Sequence, residues 1–234
     1  MHQLRLAQPT NSVLVTGVKR DISLLAKVQA KVGGQITVLD IAMNKNREAL
    51  LSALDRGAHV QYFDHHVPGD IPVHPQLSTF IDTCPDICTS FLINYYLNGQ
   101  FLIWAVVGAL GDNMHESAMH ASKTLQLTST QLDTLRELGE CINYNAYGES
   151  LQDLYFHPAE LYQAMHHYRD PFTFIHEEPV FETLKNGYLE DMALAKKIEP
   201  EVESTTGRFT FFLMHHGVVA SPANSGIFWP RHSL

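Results

Sequence analysis

Over the first 64 residues, three short apolar runs alternate with two amphipathic stretches, and this alternation limits the fold more than any other feature. Ser12-Val13-Leu14-Val15-Thr16 is β-branched and stops at Gly17. Ile36-Thr37-Val38-Leu39 and Val60-Gln61-Tyr62-Phe63 end at Asp40 and Asp64. Between these runs, Asp21 to Val32 and Asn46 to Ala58 carry apolar residues at helical spacing, closed by Gly33-Gly34 and near Gly57. Short apolar runs of this kind read as buried strands. Strand, helix, strand, helix, strand in that order predicts an α/β fold, a parallel sheet with right-handed crossovers and helices on both faces. Ligands of such sheets lie at the carboxyl ends of the strands, where Asp40 and Asp64 fall.

The remainder of the chain is mainly helical. Val67 to Pro85 reads as a Pro- and Gly-rich loop with a short strand at Thr79-Phe80-Ile81. Helices are predicted over Ile87–Leu97, Phe101–Ala109, Gln131–Tyr144, Leu151–Tyr168 and Val180–Lys197, and a strand over Phe209–Leu213. The prolines at Pro171, Pro179 and Pro200 mark a change of character. The expected organisation is an α/β domain over 1–150, a helical connector over 151–198 and a fragment of a second domain over 199–234.

Composition narrows the function. Of the 234 residues, 45% are apolar, enough for a sizeable core, and the net charge is −9. That sign argues against a protein that grips nucleic acid through a basic surface. It leaves phosphate ligands open, because bound metal ions supply local positive charge. Three cysteines give no disulfide framework. The longest apolar run, Phe101 to Leu110, falls short of the ~20 residues of a membrane span. A cytoplasmic protein with no membrane association is expected.

Three places carry candidate chemistry. Asp64-His65-His66 puts a carboxylate and two imidazoles at a strand end, with Pro68-Gly69 turning the chain just beyond. Asp40 ends the preceding strand. Gly111-Asp112-Asn113 follows a buried apolar helix. Each has an ordinary structural explanation on its own, as a solvated loop, a strand terminus or a turn.

Together they do not. Asp40, Asp64-His65-His66 and Gly111-Asp112-Asn113 stand in an order and spacing that resembles the DHH phosphoesterase superfamily, including its RecJ-like and nano-RNA phosphodiesterase-like branches. The approach Leu54-x-x-Gly57-Ala58-x-Val60-x-Tyr62-Phe63 is similar to the lead-in to that family's third motif. The resemblance covers about residues 12 to 115, and more loosely reaches about 190. It implies metal-dependent hydrolysis of a phosphoester or phosphoanhydride, with a phosphate-containing small molecule or short oligonucleotide as partner. By the same resemblance Asp40 is the carboxylate shared by two metals, and His65 and Asp112 are ligands of the second. His66 then reaches substrate phosphate, and Asp64 holds the histidines in orientation. Thr89, Ser90 and His115 are further substrate-side candidates. Two ions in such a site activate water and stabilise both attacking and leaving oxygens. Mixed carboxylate and imidazole ligands favour Mn²⁺, with other divalent ions as alternatives.

The chain also departs from the family. The family's first motif, Asp-x-Asp, has no counterpart, and residues 1–11 contain no acidic residue. Met1-His2-Gln3-Leu4-Arg5-Leu6 resembles the helix that follows that motif. Asn224-Ser225-Gly226 does not match the Gly-rich motif of the family's C-terminal domain. Little or no turnover is therefore expected. The alternative is a non-catalytic nucleotide- or metal-binding module on the same fold. An exposed sheet edge also predicts a homodimer.

Overall fold

The computed structural model describes residues 1–197 and the strands at 202–204, 207–214 and 217–222. The elements run α1 (His2–Ala7), β1 (Gln35–Leu39), α2 (Arg47–Asp55), β2 (His59–Asp64), β3 (Leu77–Ile81), α3 (Thr89–Tyr96), α4 (Leu102–Gly111), α5 (His115–Ser122), α6 (Ser129–Tyr144), α7 (Pro158–Met165), α8 (Pro171–Glu177) and α9 (Pro179–Ala195). They are followed by β4 (Val202–Ser204), β5 (Gly207–Met214) and β6 (Gly217–Pro222).

β1, β2 and β3 form a parallel sheet in that order. Alternation of side chains assigns its two faces. Val38, Val60 and Tyr62 point to one side, where Leu50 and Leu54 of α2 cover them. Leu39, Phe63 and Phe80 point to the other, against Leu4 of α1 and Ile93 of α3. The α/β class, the parallel sheet and helices on both faces are thus as the sequence predicts. After α2, Gly57 closes the turn: its N–H donates to the Leu54 carbonyl at 2.8 Å and its φ of 82° leads the chain into β2.

Two predicted elements are absent. Ser12–Thr16 forms no strand, and Val13 is 92% exposed. A strand needs a neighbour to complete its hydrogen bonds, and β1 pairs with β2 alone among the described residues. The helix predicted over Asp21–Val32 is reduced to one 3₁₀ turn, Leu24–Lys27. Only Leu25 of its apolar set is buried, and a short helix with one anchor lacks the packing that sustains it. Asn46 takes up the polar groups left over. Its buried side chain donates to the Ile22 carbonyl at 2.7 Å and accepts from the Leu25 N–H at 3.3 Å.

Beyond the sheet, α4, α6, α7, α8 and α9 share one apolar cluster that includes Trp104, Leu135, Leu138, Leu161, Phe174 and Leu184. α4 and α6 touch through glycines. A Cβ on Gly139 would stand 2.4 Å from the Val107 carbonyl oxygen, and one on Gly111 would stand 2.5 Å from that of Gly139. No helix among the described residues is long and apolar enough to cross a membrane. β4, β5 and β6 form an antiparallel sheet, and the predicted strand Phe209–Leu213 lies within β5. Glu199-Pro200-Glu201 and Asn224-Ser225-Gly226 lie outside the described residues.

Candidate metal centre

The strand register builds the centre. Leu39 pairs with Phe63, so Asp40 and Asp64 leave adjacent strands at the same level. The Asp40 N–H extends the ladder by one bond, donating to the Phe63 carbonyl at 3.0 Å. Its φ of 58° then turns the chain out of the strand. Aspartate is among the few non-glycine residues that adopt this left-handed conformation readily. The Asp40 carboxylate is oriented by Thr89 at the start of α3, whose hydroxyl donates to Oδ1 at 2.7 Å.

His65 faces Asp40 from the loop after β2. Its Nδ1 lies 3.0 Å from the Ile87 carbonyl oxygen. A carbonyl only accepts, so Nδ1 carries a proton and Nε2 is the nitrogen turned towards the carboxylates. Nε2 stands 3.4 Å from Asp40 Oδ1 and 3.9 Å from Asp112 Oδ2. Two donors each about 2.1 Å from one tetrahedral ion stand about 3.4 Å apart. The spacing is long for a charge-assisted hydrogen bond, at about 2.7–2.9 Å, and suits donors around a shared cation. A backbone carbonyl fixing the far nitrogen of a ligand histidine is the usual support for such a role.

His66 is held differently. Its Nδ1 donates to Asp64 Oδ1 at 2.7 Å. That bond raises the imidazole pKa above its ordinary value, partly against burial and with help from the charges of Asp64, Asp40 and Asp112. Asp64 has no exposed surface, and its Oδ2 has no hydrogen-bond partner among the described residues. Asp112 follows α4 as its C-terminal cap residue. Burial raises its carboxyl pKa, as does the Asp40 charge, while Lys19, His65 and His66 oppose the rise. Negative charge is crowded here.

The structure therefore brings Asp40, Asp64, His65, His66 and Asp112 together. Among the described residues, Asp40, His65 and His66 form a potential ligand group whose donor atoms lie within 4.8 Å of one another. The family resemblance places Asp112 rather than His66 among the ligands. Thr89 reaches the centre by bonding Asp40. Ser90 is turned away. Its hydroxyl donates to the Ala105 carbonyl at 3.0 Å and lies 3.0 Å from Cys88 Sγ, packed where α3 meets Gly108 of α4. His115 begins α5, is exposed and acts electrostatically on Glu140 of α6. Nothing in the sequence singles out the Ile87 carbonyl, because any residue supplies one.

Comparison with family models, curated proteins and solved structures gives no match.

Proposed function

We propose that the carboxyl ends of β1 and β2 form a divalent-metal centre of the DHH phosphoesterase type, and that these 234 residues furnish ligands for one ion of a two-metal site. The observation that carries this reading is His65 Nε2, which faces the carboxylates of Asp40 and Asp112 while Nδ1 is tied to the Ile87 carbonyl. Asp40, His65 and Asp112 would hold the ion, and the mixed oxygen and nitrogen set suits Mn²⁺. Such an ion supplies charge to offset phosphate oxygens and acidity to activate water.

The protein's own groups do the rest. Thr89 fixes the direction of the Asp40 carboxylate. Asp64 aims His66 and favours its protonated form, from which His66 can donate to a phosphate oxygen or to the leaving oxygen of a phosphoester. The ligand class is a phosphoester or phosphoanhydride of nucleotide type.

A second ion lacks equivalent support. Asp21 is the only carboxylate before Asp40, and it is paired with Lys27. This favours weak catalysis, or a module that binds metal and phosphate without turnover. Hydrolysis of bis-p-nitrophenyl phosphate by this chain with Mn²⁺ is expected to stay near the metal-only background. Turnover well above background and abolished in Asp40→Ala would show that the one-ion account is wrong while supporting the centre itself.

A further inference from the structure

A cavity of about 680 Å³ opens between α2 and the segment that precedes β1. Its origin is the helix that Asp21–Val32 does not form. The one 3₁₀ turn there packs Leu25 against Leu50 and Leu54, and Ala26 and Val28 run along one wall of the cavity. The facing wall is a row on α2, Ala49, Ser52 and Ala53, continued by Arg56 at its C-terminal cap. Residues three and four apart share a helical face. The first three have short side chains, so the space between the two segments stays open. Asn46 ties the walls together through its bonds to Ile22 and Leu25.

Three cations line this cavity: Lys45, Arg47 and Arg56. Lys45 and Arg56 are exposed, and Arg47 is half-buried. Among the described residues, none of the three is in an ion pair. Arg47 donates through a guanidinium nitrogen to the Asp70 backbone carbonyl, which holds the group without neutralising it. Glu48 is the one carboxylate of the lining, so the walls carry a net charge of +2. This runs against a chain whose net charge is −9. None of Asp40, Asp64, His65, His66 and Asp112 lines the cavity.

We propose that this cavity binds a phosphate-bearing small molecule through Lys45, Arg47 and Arg56, at a site separate from the strand-end centre and without a metal. A guanidinium presents paired N–H donors to two phosphate oxygens at once, and an ammonium adds a point charge beside them. The volume lies within the roughly 300–1,000 Å³ of small-molecule pockets. The lining holds no aromatic residue. A nucleobase has no ring to stack on there, so recognition falls on the phosphates. A wall charge of +2 matches a ligand with at least two negative charges. The ligand class is a small molecule with a diphosphate or phosphate monoester end.

The test is isothermal titration calorimetry of inorganic pyrophosphate into the full chain, with excess EDTA present so that no divalent ion takes part. Saturable binding of one pyrophosphate per chain is expected. Replacing Lys45 and Arg56 together, Lys45→Ala with Arg56→Ala, should weaken it at least tenfold, the scale of one charge-assisted hydrogen bond. If circular dichroism shows that this pair does not fold, Lys45→Gln with Arg56→Gln serves in its place. Asp40→Ala should bind pyrophosphate as the unaltered chain does. No binding to the unaltered chain, or equal affinity in the charge-removed pair, would overturn the site. Loss of binding in Asp40→Ala would overturn its separation from the strand-end centre.

Discussion

A carboxylate with no exposed surface stands behind His66 and, through a hydrogen bond, raises the pKa of its imidazole. The same bond makes stability depend on pH. An unfolded histidine titrates near 6.5, and the folded His66 titrates higher because of Asp64. Below the unfolded value both states are protonated and the contribution of the pair is fully present. As pH rises through the folded value, the contribution is lost. In metal-free protein, urea unfolding measured from about pH 6 upward should show stability falling over this window. In Asp64→Asn the carboxylate is gone, and the fall should be much reduced. Equal pH dependence in the two proteins would contradict the assigned pairing. The sequence placed Asp64, His65 and His66 side by side, but it did not say which histidine each partner would take. That division comes from the turn after β2. It sends His65 towards Asp40 and Ile87, and His66 back towards Asp64.

At the scale of elements, what was legible follows local packing and what was not follows missing partners. β1, β2 and α2 were readable because their apolar residues alternate or recur at the period of the element and each is covered by a neighbour. Ser12–Thr16 has the same composition but no strand to pair with among the described residues, and composition alone does not reveal a missing neighbour. The near contact of α4 and α6 was also hidden. Gly111 and Gly139 lie far apart in sequence, and neither looks special there. Their approach holds Asp112 in place and leaves no room for a side chain. Gly139→Ala should cost roughly 1–3 kcal/mol through overpacking, read as a fall of several degrees in thermal midpoint, with weakened Mn²⁺ binding. An unaltered midpoint would show that the helices separate freely and that the glycines set nothing.

The whole molecule is acidic, at −9, and the carboxylates of Asp40, Asp64 and Asp112 meet the imidazoles of His65 and His66 at one end of a small parallel sheet. On the proposed reading, anions at this centre are handled through a bound cation rather than through a basic surface. Stability should respond accordingly. Mn²⁺ at about 100 times its dissociation constant should raise the unfolding free energy by about 2.7 kcal/mol, measured by chemical unfolding with and without the ion. Electron paramagnetic resonance of Mn²⁺ titrated into the protein tests the central claim most directly, because it counts bound ions and its spin-echo modulation detects nitrogen ligands. One ion per chain is expected, with nitrogen modulation, and His65→Ala should weaken binding at least tenfold. No bound ion, or binding indifferent to the loss of His65, would contradict the centre.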